Sequence, residues 1–282
     1  MEKTTADFLD PLTDPALENY RLHRRFDRMG RLVGDRAMQK LMDSHVVIIG
    51  LGGVGSWAAE SILRSGVGKV TLVDFDEVCI TNSNRQLHAL TGFVGSKKAE
   101  VLAERCRKIN PQAEVTSLVQ FYNARTNSEI FATRPDYVID AIDNVTAKCH
   151  LLAFCREQGI PVVSSSGSAA RLDPTQVQVA DLAETEIDPL ARALRRILRQ
   201  QYGFPESGRF GIPTVYSREP VMDPFELKYD GGKGFKCVCP QGNNGLNTCE
   251  DKNVILGSAS FVTGTFGLVC AAKVVQDLIA TG

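Results

Sequence analysis

The stretch His45-Val46-Val47-Ile48-Ile49-Gly50-Leu51-Gly52-Gly53-Val54-Gly55 decides the fold of this 282-residue chain. It begins with a short apolar run, rich in β-branched residues, that predicts a buried strand. The spacing Gly50-x-Gly52-x-x-Gly55 then allows a tight turn and lets a phosphate group approach the backbone. A helix predicted from Ser56 to Arg64 would present its N-terminal N–H groups to that phosphate.

An acidic residue follows the turn at the distance expected for nucleotide recognition. Asp74 ends a second predicted strand, Lys69 to Val73. A carboxylate about 20 residues after such a turn commonly binds ribose hydroxyls. Taken alone, the turn and Asp74 favour NAD or FAD over ATP, so residues further along must decide which nucleotide binds.

The pattern of strands and helices predicts an α/β fold, a Rossmann-like doubly wound and mostly parallel sheet with a C-terminal extension. Its ligand would bind at the C-terminal edge of the strands. Further strands are expected at 114–119, 137–141, 160–164 and 176–180, and helices at 95–109, 146–158 and 188–201. Residues 203–253 are rich in Gly, Pro and Asn, which predicts a long irregular segment. We expect one domain over 1–282, made of N-terminal helices (1–44), a nucleotide-binding core (45–182), a basic helix with an irregular segment (183–253) and a closing core element (254–282).

The composition is that of a soluble cytoplasmic protein. The net charge is −1 and 43% of the residues are hydrophobic, so a nucleic-acid contact would need a local basic patch. The N-terminus lacks signal-peptide features, and eight irregularly spaced cysteines fit reduced thiols. The uncharged stretch 254–272 approaches the length of a membrane span. Its many small and polar residues favour a buried element over membrane association.

Polar and basic side chains are unusually frequent after the second strand. They are Asp76, Asn84, Arg85, Gln86, Lys97 and Lys98. A triphosphate needs such groups because its β- and γ-oxygens must be neutralised before the α-phosphorus is attacked. Each residue alone would be interpreted as a solvated surface residue, but together they favour ATP over a dinucleotide.

A second acidic group, Asp140-Ala141-Ile142-Asp143-Asn144, ends the fourth predicted strand. Ligands of open α/β sheets bind at that edge. A carboxylate there can hold Mg²⁺ between phosphates, and the pattern favours Asp143 over Asp140 for this role. The alternative is that Asp143 or Asn144 caps the next helix.

These motifs, in this order, resemble the MoeB/ThiF and ubiquitin-activating-enzyme superfamily. The resemblance extends from about residue 20 to 170 and resumes at Gly264-Thr265-Phe266-Gly267. It implies an ATP-dependent adenylating enzyme that works as a homodimer. The matching elements are Arg25-Phe26-Asp27-Arg28, Gly50-x-Gly52-Gly53-x-Gly55, Asp74-x-Asp76, Asn82-Ser83-Asn84-Arg85-Gln86, Gly95-x-x-Lys98 and Asp143-Asn144.

The resemblance also implies a role for each matching residue. Asp143 would coordinate Mg²⁺ and promote adenylation, and Arg28 would reach into the active site of the partner subunit. Asp74 would bind the ribose. The ATP phosphates would contact Gly50, Gly52, Gly53, Gly55, Asn84, Arg85 and Lys98, while Asp76, Gln86 and Asn144 would complete the nucleotide site.

The chain departs from MoeB and ThiF in two ways. It has no Cys-x-x-Cys pair, and the available cysteines would make a poor tetrahedral site, so no zinc is expected. They are Cys237-x-Cys239 and Cys249, with Cys149 and Cys155 earlier in the chain. The helix 188–201 carries arginines spaced to share one face: Arg192, Arg195, Arg196 and Arg199. That face could be solvated, or could bind an acidic partner protein or an RNA backbone.

With the segment Gly234-Phe235-Lys236-Cys237-Val238-Cys239-Pro240-Gln241-Gly242, these departures resemble a bacterial branch of the superfamily called TcdA or CsdL. That resemblance implies a tRNA substrate. Members of the branch adenylate the carboxylate of threonylcarbamoyladenosine next to the anticodon and close it into a ring with loss of water. It also implies a cysteine desulfurase system, CsdA and CsdE, as a partner.

Three alternatives stay open on the sequence. Cys237 or Cys239 could trap the acyl group as a thioester, although bystander thiols are the simpler interpretation. The enzyme could instead adenylate the C-terminus of a small ubiquitin-like sulfur-carrier protein. Finally, the chain could be a non-enzymatic ATP-binding scaffold of a cysteine desulfurase complex.

Overall fold

A single sheet runs through the part of the chain that the computed structural model describes, residues 17, 20–225, 227 and 256–280. Its seven strands are arranged in the order β3-β2-β1-β4-β5-β7-β6. All neighbours are parallel except β6 and β7, which confirms the predicted fold class. The strands are β1 (His45–Ile49), β2 (Lys69–Val73), β3 (Glu114–Leu118), β4 (Tyr137–Asp140), β5 (Val162–Ser165), β6 (Val177–Asp181) and β7 (Pro213–Ser217).

Helices cover both faces of this sheet. Helices α2, α3, α4 and α8 enclose one core with the even-numbered positions of β1, while α6 and α7 enclose the other with Val47 and Ile49. Burial on both faces explains why β1 is a continuous apolar run rather than an alternating one. The helices described are α1 (Asp27–Val33), α2 (Asp35–Asp43), α3 (Gly55–Arg64), α4 (Lys98–Ile109), α5 (Asn127–Ile130), α6 (Val145–Glu157), α7 (Pro189–Tyr202) and α8 (Ser260–Ala280).

The prediction of an irregular segment over 203–253 is wrong at one place, because β7 lies within that range. β7 pairs with β5 on one side and with β6 on the other, so it is an inner strand of the sheet. Its Thr214 and Val215 are fully buried. The run is short and flanked by Gly and Pro, which hid it from pattern analysis. Residues 226 and 228–255, with Cys237, Cys239 and Cys249, lie outside the described residues.

Helix α4 begins later than predicted, at Lys98 rather than at Gly95. The preceding residues pair with an earlier segment instead. The Gly95 N–H donates to the Val78 carbonyl at 2.9 Å, and Gly95 has a φ of +88°. This pairing delays the helix and fixes Lys98 in its first turn.

The apolar C-terminal stretch forms α8, which confirms the expected buried element. Phe266, Cys270 and Val274 of α8 are fully buried. A Cβ on Gly267 would lie 2.4 Å from the Val54 carbonyl oxygen, so a glycine lets α8 approach α3 closely. Among the described residues, α8 is the one helix long and apolar enough to cross a membrane by length and composition.

Candidate functional site

The site predicted from the sequence lies where the strand order reverses, between β1 and β4. The chain leaves β1 and β4 in neighbouring turns, because the Ala141 N–H donates to the Ile49 carbonyl at 2.9 Å. In a doubly wound sheet, a crevice opens at this switch point beyond the carboxyl ends of the strands. Ligands of this fold bind in that crevice, so its lining residues are the candidates.

Two glycines of the turn are required by the protein's own packing. Gly50 has a φ of +87°, and a Cβ there would lie 2.6 Å from the Ala141 carbonyl oxygen. A Cβ on Gly55 would lie only 1.8 Å from the Gly50 carbonyl oxygen. Neither position therefore tolerates a side chain, whether or not a ligand is bound.

The two middle glycines differ in how much room they have. A Cβ on Gly53 would lie 3.1 Å from Thr263 of α8 and 3.3 Å from the Arg85 side chain. A Cβ on Gly52 would meet one neighbour within 4 Å, the Gln86 Nε2 atom at 3.7 Å, which is an ordinary contact. The fold does not explain the glycine at Gly52, whereas close approach of a phosphate would.

Asp74 lies at the end of β2, where the ribose-binding carboxylate was expected. Its Oδ2 accepts a hydrogen bond from the Leu51 N–H at 2.6 Å, and its Oδ1 accepts one from the Asp76 N–H at 2.8 Å. Burial raises the pKa of Asp74 despite these donors and Lys98. Each carboxylate oxygen keeps a further lone pair, so Asp74 can still accept from a hydroxyl group.

Lys98 is the buried cation of the site. Its Nζ lies 2.8 Å from the Asp76 Oδ2 atom. Burial favours the neutral amine, but the carboxylates of Asp74 and Asp76 outweigh it, so the net pKa of Lys98 is raised. Asp143 adds a smaller effect in the same direction, which brings the lysine and the β4 loop into one electrostatic environment.

Arg85 and Asn84 are held by the protein itself. The Arg85 Nη1 donates to the Thr81 carbonyl at 2.9 Å and to the Asn84 Oδ1 atom at 3.0 Å. The Asn84 amide donates to the Ser258 carbonyl, just before α8, at 2.8 Å. Burial lowers the pKa of Arg85. The predicted phosphate contacts of both residues remain predictions.

The buried polar atoms without a hydrogen-bond partner among the described residues include the Gln86 Oε1 atom and both ring nitrogens of His88, in the segment between β2 and α4. Burial, with a smaller contribution from Lys98, lowers the pKa of His88 to about 4. Unsatisfied buried polar groups commonly mark places where a ligand or an ordered water binds. The sequence pattern did not single out His88.

In the loop after β4, the two predicted site residues, Asp143 and Asn144, have different surroundings. The Asn144 side chain accepts from the Ala147 N–H at 3.0 Å and caps α6, which was the structural alternative for this pair. Its predicted nucleotide contact is untested. Asp143 is exposed and, within the described residues, makes no hydrogen bond or ion pair. It is an exposed carboxylate on the loop that lies against the glycine turn.

Three buried side chains below this loop were missed or undervalued by sequence analysis. Lys148 and Asp140 form a fully buried ion pair at 2.7 Å, and the Ser164 hydroxyl donates to Asp140 at 2.7 Å. Lys148 looked like one more helical lysine. Its position four residues after the cap, facing a sheet edge, was the available signal.

The four arginines predicted on one face of α7 divide into two pairs. Arg192 and Arg196 are exposed. The Arg195 Nη1 donates to the Thr185 carbonyl at 2.9 Å, while the Arg199 Nε donates to the Pro205 carbonyl at 3.2 Å. The second pair therefore holds neighbouring loops, and the first pair carries the surface charge.

Arg28 lies on α1 and is exposed. Its predicted contact with a second subunit is untested. Among the described residues there is no group of three or more metal-ligating side chains. The buried Cys106, Cys149, Cys155 and Cys270 carry free thiols.

A doubly wound sheet with a glycine turn, a buried lysine and a free aspartate at its switch point defines a protein that binds nucleotide phosphates. The ThiF family model matches residues 26–281, and the chain belongs to the ThiF family.

Two relatives and one solved structure show what the chain is similar to. The tRNA threonylcarbamoyladenosine dehydratase of Escherichia coli (strain K12) is 40% identical over 259 residues, 91% of this chain and 94% of that protein. The crystal structure of E. coli TcdA in complex with ATP is similar with a TM-score of 0.78 at 40% identity, covering 92% of this chain and 95% of that one. The molybdopterin-synthase adenylyltransferase of E. coli is 33% identical over 159 residues, 56% of this chain and 61% of that protein.

Proposed function

We propose that this chain catalyses the ATP-dependent dehydration of threonylcarbamoyladenosine in tRNA, next to the anticodon, by adenylating its carboxylate. One observation carries the proposal: 40% identity to a dehydratase over nearly the whole of both chains. The aligned region therefore includes β5, β7, β6 and α7, and is not limited to the glycine turn and the residues near it. A tRNA substrate also fits a cytoplasmic enzyme.

The chain's own residues fit ATP and Mg²⁺. Gly52 leaves room for a phosphate, Lys98 supplies a buried cation, and the Gln86 Oε1 atom is an unsatisfied acceptor beside the turn. Mg²⁺ bound with nucleotides takes one or two carboxylates from the protein and the rest of its ligands from phosphates and water. The exposed Asp143 suits that arrangement, so the lack of a larger acidic cluster in the described part is no obstacle.

Adenylation gives the substrate carboxylate a good leaving group, AMP, in place of a poor one. The substrate carboxylate attacks the α-phosphorus of ATP and pyrophosphate leaves, while Lys98 and Arg85 stabilise the charge that develops on the phosphates. Asp143 would hold Mg²⁺, which would neutralise the same charge. A nitrogen of the modified substrate then attacks the acyl adenylate and AMP leaves, carrying the oxygen lost in the dehydration. Because this second step is intramolecular, geometry supplies much of its rate.

Further partners follow from the same proposal. Two copies would form a homodimer in which Arg28 of each reaches the partner's nucleotide, and Arg192 and Arg196 would contact the tRNA backbone. A cysteine desulfurase system is the proposed protein partner. A thioester on Cys237 or Cys239 stays an alternative for the acyl intermediate.

The competing function is adenylation of a sulfur-carrier protein. The E. coli adenylyltransferase supports it, but that likeness covers about half of this chain. Incubation with ATP and either tRNA bearing threonylcarbamoyladenosine or a carrier protein ending in Gly-Gly separates the two functions. We expect pyrophosphate release with the tRNA alone. Release only with the carrier protein would replace the proposal, and release with neither would favour an ATP-binding scaffold.

The Asp143→Asn variant tests the assigned chemistry. Loss of one charge-stabilising group should slow pyrophosphate release on the order of 100-fold while ATP still binds. A variant with the wild-type rate would remove Asp143 from the mechanism. Asn144→Ser tests the neighbouring residue separately, because serine preserves the helix cap. A wild-type rate would leave Asn144 as a cap alone, and a lower rate would support its predicted nucleotide contact.

A further inference from the structure

The ion pair of Lys148 and Asp140 lies beneath the loop that carries Asp143. Both side chains are completely buried, and the Lys148 Nζ lies 2.7 Å from the Asp140 Oδ2 atom. Lys148 comes from the first half of α6, and Asp140 is the last residue of β4. A buried ion pair is weak evidence for stability, because apolar replacements of similar size are often neutral or stabilising. Stability alone therefore does not explain why this ion pair is present.

The pair holds the backbone of one residue, Ile142, at both its N–H and its carbonyl. The Lys148 Nζ donates to the Ile142 carbonyl at 3.1 Å, and the Asp140 Oδ1 accepts from the Ile142 N–H at 3.2 Å. Ile142 immediately precedes Asp143. Asp140 is itself oriented by the Ser164 hydroxyl of β5, which donates to its Oδ2 atom at 2.7 Å.

The opposite side of the loop is closed by the glycine turn. A Cβ on Gly50 would lie 2.6 Å from the Ala141 carbonyl oxygen, so the two backbones are in contact. The Asn144 cap fixes the far end of the loop. Asp143 therefore has a free side chain on a backbone that is held at Ala141, Ile142 and Asn144.

We propose that Lys148 and Asp140 are positioning residues, which fix the Ile142 backbone at its N–H and its carbonyl so that Asp143 faces the phosphates of the nucleotide. The proposal rests on the proposed function, in which Asp143 acts in adenylation. Lys148 would act through its hydrogen bond to a backbone carbonyl, in addition to neutralising Asp140. Asp140, with no exposed surface, does not touch the substrate.

Two variants that differ only in this donor provide the test. In Asp140→Asn, the Lys148 Nζ can still donate to the Ile142 carbonyl. In Lys148→Met/Asp140→Asn, that donor is gone as well. We expect the rate of pyrophosphate release to fall about threefold in the single variant and about thirtyfold in the double variant, with the KM for ATP changed less than threefold. Equal rates in the two variants would overturn the proposal.

Amide hydrogen exchange supplies a readout that needs no turnover. The Ile142, Asp143 and Asn144 amides should exchange at least tenfold faster in the double variant than in the single one, with β1 amides unchanged. Equal exchange in the two variants would overturn the positioning role. A wild-type protein that released no pyrophosphate would instead count against the proposed function, and the exchange measurement would still test the positioning role. Arg105→Met, which breaks an ion pair with Glu60 between α3 and α4, is the control and should keep the wild-type rate and loop exchange.

Discussion

The two halves of the sheet differ in how their positions are specified. In the half formed by β3, β2, β1 and β4, several predicted site residues follow a strand closely, as Asp74 does, whose carboxylate accepts from the backbone N–H groups of Leu51 and Asp76. In the half formed by β5, β7 and β6, the strand β7 inserts between two earlier strands. Its neighbouring loop depends on a buried ion pair between Arg171 and Asp188. Local sequence thus builds the binding edge, and long-range contacts build its support.

The largest effect should come from Gly55→Ala in the first half. The new Cβ would overlap the Gly50 carbonyl oxygen, so the turn cannot keep its shape. We expect a loss of more than about 4 kcal/mol, or failure to fold, which marks a backbone constraint rather than ordinary packing. Chemical denaturation followed by circular dichroism measures it. A variant within about 1 kcal/mol of the wild type would contradict the described turn.

Arg171→Met should give the next largest effect, in the second half. Removing the guanidinium leaves the Asp188 carboxylate buried and unpaired, which should cost about 3–5 kcal/mol. Affinity for ATP should not change in the folded fraction, because neither Arg171 nor Asp188 is a predicted nucleotide contact. Adding Asp188→Asn, which keeps the α7 cap, should restore much of the stability. Loss of ATP affinity without loss of stability would erase the distinction between the halves.

His88 should make the first half sensitive to acid. Its pKa is about 4 in the folded protein against 6.5 for an ordinary histidine, because burial disfavours the imidazolium. The neutral ring therefore stabilises the fold above pH 6.5, and up to about 3 kcal/mol is lost as the pH falls towards 4. His88→Leu should flatten this limb of the profile of unfolding free energy against pH. An unchanged acid limb would show that other groups cause it.

Gly52→Ala should have a smaller, purely functional effect. The added methyl group makes one ordinary contact with Gln86, so the unfolding free energy should stay within about 0.5 kcal/mol. A phosphate brought against the backbone would meet that methyl group, and we expect ATP to bind about tenfold more weakly, or about 1.4 kcal/mol. Isothermal titration with ATP measures this affinity. Unchanged affinity would mean that the phosphates lie elsewhere.

The smallest effect should come from the exposed pair on α7. In the double variant Arg192→Ala/Arg196→Ala, tRNA affinity should fall a few-fold, and the slope of log K against log salt should shrink by about 2. Binding titrations at several salt concentrations provide both values. The control, Arg64→Ala/Lys108→Ala, removes two exposed charges from α3 and α4. An equal change in the control would assign the effect to net charge.

Most of the binding edge could be predicted, since strand, turn and acidic residue follow one another within a short stretch. β1, β2, β4 and the helix after the turn were found close to their observed bounds. The strand β7 was missed, because its five residues are stabilised by neighbours far away in the chain. The same reason explains why Arg195 and Arg199 could not be separated from Arg192 and Arg196 by spacing alone.

The sequence by itself determined that a phosphate-binding turn follows a buried strand, and that basic and acidic residues suited to a triphosphate follow it. Those properties depend on neighbours in the chain, which a motif records directly. The tertiary structure decided that Gly52 is the open glycine, that Asn144 is a cap while Asp143 is free, and that Lys148 and Asp140 lie under their loop. These distinctions depend on which atoms meet across β1, β4, β5 and α6, and spacing along the chain does not specify such contacts.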